Sequence, residues 1–202
     1  MSQPDNIAEL FLKIWKDKRA TSECTFDLGS VSIDDAYEVQ RRVISARVAE
    51  GERVVGYKVG CTSRAIQQQF GLSEPICGRV MAPHVRFGNT LLNWNEYVEC
   101  AVEPEFVLGI GEDVAAKVED ETKLLEAIEW VASGIEIHNY KFWCGEPTLQ
   151  ELIASNGIHR GWSSEIRESH QQVSILIWRV WGSSEMESWR RPASVPRSWA
   201  GR

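Results

Sequence analysis

The stretch from Val98 to Ile110, VECAVEPEFVLGI, limits the possible folds of this chain more than any other. It is apolar enough for a buried strand, yet Glu103 and Glu105 stand in its middle with Pro104 between them. A carboxylate taken out of water costs several kcal/mol unless it is paired or bound to a cation. Residues i and i+2 of a strand face the same side, so these two carboxylates are neighbours that could share one cation. The alternative is a solvated face on an edge strand, and Pro104 fits an edge or a bulge. Glu136 strengthens the cation reading, because it is a third acid in an apolar strand context, SGIEIHNY. Three oxygen donors suit Mg2+ or Mn2+, which keep waters and leave positions open for a substrate. His138 falls on the same face as Glu136, either as a partner of the carboxylates or as a satisfied core histidine.

A second charge lies in another apolar strand pattern. VVGYKVG places Lys58 between Gly56 and Gly60. It is either a lysine snorkelling from a strand edge or a partly buried ammonium that moves protons or steadies negative charge. His84, His159 and His170 show no spacing to a nucleophile, and GIGED at 109 to 113 lacks the third glycine and the helix of a dinucleotide site.

The remaining pattern predicts helices first and strands later, an α+β chain. Ile7, Leu10, Phe11, Ile14 and Trp15 repeat at helical spacing over residues 6 to 19. Ser32 with Asp35 forms a capping box for a second helix that Gly51 ends. SRAIQQQFG is a short helix stopped by Gly71, EPICGRVMAP a loop and strand, ETKLLEAIEWVA a third amphipathic helix, GIEIHNYKF a strand, and TLQELIASNG a further helix. The net charge of -7 with no Lys/Arg block argues against nucleic acid and anionic membranes as partners. No apolar run reaches the roughly 20 residues of a membrane span. The N-terminus lacks the basic and apolar regions of a signal peptide. Five scattered cysteines with no C-x-x-C pair suggest reduced thiols and a cytoplasmic protein.

Residues 162 to 202 differ in kind. They hold five of the nine Trp and nine Ser, with six Arg against four Glu, or +2, whereas residues 1 to 161 carry 16 basic and 25 acidic residues, or -9. One reading is a disordered or partner-binding tail. The other is translation out of frame. Shifting the codons by one position from Gly161 onward permits an ordinary strand-like string, VDLDLEGVGLF, within the tail. Sequencing the gene across that codon tests the idea.

Together, VVGYKVGCTSRAIQQQFGLSEPICGRV, VEPEFVLGIGED and GIEIHNYKF…ELIASNG resemble the 2-keto-4-pentenoate hydratase / 4-oxalocrotonate decarboxylase group of the fumarylacetoacetate hydrolase superfamily. The likeness covers residues 5 to 161 and stops there. It implies a hydratase-like domain over 1–161, with a helical part at 1–52 and a metal-binding β part at 53–161, and an anomalous tail at 162–202. The implied fold is α+β: N-terminal helices, then a mixed β-roll of the fumarylacetoacetate hydrolase C-terminal-domain type, incomplete at its C-terminus. The resemblance makes Glu103, Glu105 and Glu136 the ligands of Mg2+ or Mn2+ and Lys58 the catalytic residue. It puts Ser63, Gln67 and Asn156 near the substrate. The implied reaction adds water to a 2-hydroxy-2,4-dienoate, giving a 4-hydroxy-2-oxo acid in the meta-cleavage catabolism of aromatic compounds. A 2-oxo-acid decarboxylase and an inactive, truncated metal-binding protein are the alternatives. C–C bond hydrolysis needs a His–acid pair, for which His138 is the one histidine near the Glu cluster. The chain departs from the group's frequent P-D-F-G at Pro75-Ile76-Cys77-Gly78. A homo-oligomer is expected if the complete fold is made.

Overall fold

The computed structural model describes residues 3–18, 28–111, 121–139 and 147–164, and the backbone of 174–179. Two helices open the chain. Helix α1 (Gln3–Asp17) buries Ile7, Phe11 and Ile14 against Val39 and Val43 of α2 (Ile33–Ala49). The Ser32 hydroxyl starts α2 by accepting the Asp35 N–H at 3.1 Å, as its spacing predicts, and Gly51 follows the helix in a left-handed conformation, φ 98°.

The rest of the chain builds one sheet with short helices between its strands. In order come β1 (Val54–Gly60), α3 (Arg64–Phe70), β2 (Ile76–Met81), β3 (Val85–Phe87), β4 (Cys100–Ile110), α4 (Glu121–Glu126), β5 (Ile128–Asn139), α5 (Leu149–Ala154), β6 (His159–Ser164) and β7 (Ser174–Arg179). The strand order is β2-β1-β7-β4-β5-β6-β3. β1 with β7 and β3 with β6 run parallel, and the other neighbours are antiparallel, so the sheet is mixed and the α+β expectation holds.

Two predicted elements come out differently. The third amphipathic helix, ETKLLEAIEWVA, is cut to α4, and its second half becomes the start of β5. The apolar spacing suits a helix, but β4 offers eleven residues of backbone that pair from Ile110↔Ile128 to Cys100↔Asn139. Tertiary pairing therefore outweighs the local period. Gly109 makes the pairing possible at Trp130, since a Cβ there would come within 2.1 Å of the indole. The second difference is the start of β4, at Cys100 rather than Val98, after a left-handed bend at Glu99 (φ 48°). Val98 stays buried before the bend, and its N–H donates to Asn139 Oδ1 at 3.0 Å. The predicted strand GIEIHNYKF is described as far as Asn139, and its last three residues lie outside the described residues.

β6 runs through residues 161 and 162 without a break. Trp162 is wholly buried beneath Gly134, where a Cβ would meet its Nε1 at 2.2 Å. β7, from the compositionally different tail, lies between β1 and β4. Residues 165–173 and 180–202 lie outside the described residues. No described helix is long and apolar enough to cross a membrane.

Candidate metal and acid–base site

Strand alternation turns Glu103, Glu105, Val107 and Gly109 of β4 to the inner face. The antiparallel register then sets Glu103 opposite Glu136 and Glu105 opposite Gly134. Glu136 has no exposed surface. Such a carboxylate needs compensation, and side chains from three strands surround it. Lys58 Nζ of β1 lies 2.9 Å from Oε1 and donates to Oε2 at 3.0 Å. His159 of β6 has its Nδ1 2.6 Å from Oε1. An ionised carboxylate only accepts, so this Nδ1 carries the hydrogen. His138 Nε2, two residues along β5, lies 3.0 Å from Oε2 and 3.9 Å from Glu103 Oε2.

The electrostatics follow from this crowding. Burial acts to raise the Glu136 carboxyl, but Lys58, His138 and His159 outweigh it and hold the group well below its ordinary range. Burial pushes the His159 imidazole down, against the pull of Glu136. One donor atom each from Glu103, Glu136 and His138 lies within 4.8 Å of the others. Two carboxylates and a buried imidazole converging at that distance fit a divalent cation. Glu105 is buried on the same face, one pair further along, but its carboxylate is not in that group.

The turn before β6 aims the lysine. Asn156, Gly157 and Ile158 all have left-handed φ angles, at 64°, 67° and 55°. Asn and Gly tolerate this region, whereas a β-branched Ile does not, so the turn stores strain beside the site. Lys58 Nζ donates to the Gly157 carbonyl at 3.1 Å, and a Cβ on Gly157 would press to 3.2 Å from Lys58 Cε. Asn156 binds β2 from both ends of its amide: Oδ1 accepts the Arg79 N–H at 2.6 Å and Nδ2 donates to the Arg79 carbonyl at 2.8 Å. Ser63 caps α3 through the Ile66 N–H at 3.2 Å, and Gln67 Nε2 donates to the Cys61 carbonyl at 3.0 Å.

The structure thus brings Lys58, Glu103, Glu136 and His138 together and adds His159, which sequence reasoning passed over. His138 is therefore not the one histidine near the Glu cluster. The register His138↔His159 carries that information, and it joins residues of two strands with no local signal.

A mixed sheet here carries an E-x-E strand, a third Glu opposite it and a strand lysine against that Glu, the donor chemistry of the carboxylate metal-binding class. The comparisons with known proteins give that class its particular relatives, the hydratase and decarboxylase group whose motifs the sequence resembles. No family model matches the chain. The 4-oxalocrotonate decarboxylase of Pseudomonas sp is 33% identical over 143 residues, 71% of this chain and 55% of the relative. The 2-keto-4-pentenoate hydratase 2 of Dechloromonas aromatica (strain RCB) is 31% identical over 153 residues, 76% of this chain and 58% of the relative. This chain thus spans somewhat over half the length of these curated relatives. The 4-oxalocrotonate decarboxylase of Pseudomonas putida G7, solved with magnesium and adipate, shares the fold with a TM-score of 0.73 at 20% identity, over 80% of this chain and 62% of that one. Its form with calcium and acetate gives a TM-score of 0.71 at 20% identity, over 80% of this chain and 61% of that one.

Proposed function

We propose that residues 1–161 belong to a metal-dependent hydratase that adds water to a 2-hydroxy-2,4-dienoate, the substrate type of aromatic meta-cleavage catabolism. The observation that carries the reading is the wholly buried Glu136, held by Lys58 and set opposite Glu103 within reach of a shared cation. Glu103, Glu105 and Glu136 would hold Mg2+ or Mn2+. Such a cation, when bound, stabilises negative charge on a chelated 2-oxo acid. The chain's own residues manage the protons. The enol oxygen of the dienoate gives up its proton and C5 gains one, leaving a 2-oxo-3-enoate. Water then adds its oxygen to C4 while a proton goes to C3. Lys58, an ammonium held by Glu136 and the Gly157 carbonyl, steadies the negative charge left at the oxygen end. Ser63, Gln67 and Asn156 shape the substrate side: the Asn156 brace ties the lysine-bearing turn to β2, and Ser63 and Gln67 fix the start of α3.

The likeness to 4-oxalocrotonate decarboxylase supports a second reading, in which the same enolate forms by loss of CO2 from a 2-oxo acid. We also propose that residues 162–202 are read out of frame. The change in composition at Gly161 supports this, from a charge of -9 over residues 1 to 161 to +2 over the tail, which holds five of the nine Trp. The test is an ultraviolet assay with 2-hydroxypenta-2,4-dienoate or 4-oxalocrotonate, with Mg2+ or Mn2+, on this chain and on a frame-restored one. Dienoate turnover in the restored chain, abolished by Glu103→Ala, is the expected result. Turnover of 4-oxalocrotonate alone replaces the hydratase with the decarboxylase, and turnover of neither leaves a metal-binding protein. An unbroken frame in an independent gene sequence overturns the tail proposal.

A further inference from the structure

We propose that His138 is a nitrogen ligand of the metal centre, and that it biases this chain toward Mn2+, or a later divalent transition ion, over Mg2+ and Ca2+. The inference rests on the reading of Glu103 and Glu136 as a metal pair and adds a ligand to it. Three observations carry it. His138 is 2% exposed, and its Nε2 is buried with no hydrogen-bond partner, although Glu136 Oε2 is only 3.0 Å away. With its hydrogen on Nδ1, a neutral His138 turns a bare Nε2 lone pair toward that oxygen, as two ligands of a common cation stand. The distances agree with that picture. With metal–ligand bonds of about 2.1 Å, adjacent ligands on an octahedral ion stand about 3 Å apart and opposite ones about 4.2 Å. His138 Nε2 lies 3.0 Å from Glu136 Oε2 and 3.9 Å from Glu103 Oε2, between those limits.

His138 is the nitrogen that lies within reach of both carboxylates. Lys58, as an ammonium, has no lone pair to give. His159 spends its Nδ1 hydrogen on Glu136 Oε1, on the far side of the carboxylate from Oε2, and so orients the carboxylate. An imidazole nitrogen is a poor ligand for Mg2+ and Ca2+, which prefer oxygen, and a good one for Mn2+, Fe2+, Co2+ and Zn2+.

Pulsed electron paramagnetic resonance on the full chain loaded with Mn2+ tests this directly. The expected spectrum shows coupling from one directly bound nitrogen, which changes isotope pattern when only histidine is labelled with 15N. His159→Gln should keep that coupling. In competition titrations, His138→Gln should weaken Mn2+ binding by at least the roughly tenfold that loss of an outer-shell partner costs, and leave Mg2+ binding unchanged. Mn2+ that binds, and is lost in Glu136→Gln, but shows no histidine nitrogen coupling overturns the inference and leaves the metal pair standing. Mn2+ binding indifferent to Glu136→Gln overturns the metal pair itself. The labelling measurement needs no variant, so a His138→Gln chain that fails to fold does not obscure the outcome.

Discussion

Adjacent residues of β6, His159 and Arg160, enter two clusters of ionisable groups on opposite sides of the strand, and the clusters are built in contrasting ways. Around Glu136, nitrogen groups from three strands converge on one carboxylate, and Nε2 atoms of His138 and His159 remain buried without hydrogen bonds. Around Trp15, the groups are committed to one another. The Arg47 and Arg160 guanidiniums lie 3.9 and 4.3 Å from the centre of the indole ring, and His84 meets it edge-on at 5.8 Å. Arg47 is paired with Glu52 at 2.6 Å, and Arg160 Nη1 donates to His84 Nε2 at 2.9 Å. Burial and Arg47 lower Arg160 to about 10. The Trp15 cluster ties α1 and α2 to β6, and among the described residues none of its buried side-chain nitrogens is left without a hydrogen bond. The Glu136 cluster keeps one His138 nitrogen within 4.8 Å of carboxylate oxygens of Glu103 and Glu136. Buried charge therefore marks a ligand site only where the hydrogen bonding is left incomplete.

Replacing the central group of each cluster should separate the two. Glu136→Gln leaves Lys58 buried without its counter-charge and should cost about 3–5 kcal/mol in urea unfolding, with loss of Mn2+ binding. Equal stability and Mn2+ affinity in that variant would erase the distinction. Trp15→Leu removes the ring beneath two guanidiniums and should cost about 2 kcal/mol. Mn2+ affinity should stay within about twofold, because the two clusters are separate.

The smallest effect is in pH. His84 is pushed from the ordinary 6.5 to about 2, first by burial and then by Arg160, Arg47, Arg86 and His159, with Glu52 3.9 Å away on the other side. Below pH 6.5 the unfolded chain takes up a proton that the folded chain refuses. Stability is then fully present above 6.5 and falls with pH toward 2, by at most about 1.4 kcal/mol per unit. His84→Asn should flatten that slope between pH 6.5 and 5, as measured by urea midpoints. An unchanged slope would place the acid sensitivity elsewhere.

Much of this was legible in the sequence, because a charge inside an apolar strand pattern is an anomaly that a single segment displays. Glu103, Glu105, Glu136 and Lys58 all stand out in that way. His159 does not, since what gives it a role is a register with a strand twenty residues away. The second half of the predicted third helix failed for a related reason. Its apolar period suits a helix, and only the length of β4 makes it a strand. The residues drawn from family resemblance read differently in three dimensions. The Asn156 amide is taken up by the Arg79 main chain, and the Ser63 hydroxyl caps a helix. Read from the sequence, the tail has no strand of its own, and SILIWR becomes β7 through its pairing with β1 and β4.

That central place has a consequence for how the protein is made. Among the described strands, the β1–β2 pair and the β4–β5–β6–β3 group are joined in the sheet only through β7. Lys58 lies on one side of that seam and Glu136 on the other. Of the described strands, the one that closes the seam is the last to leave the ribosome, more than a hundred residues after the lysine it brings into line. Contacts of such sequence separation form late. During synthesis, Glu136 therefore waits for its counter-charge, and β1 and β4 wait for a neighbour, with unpaired edges exposed to other chains in the interval.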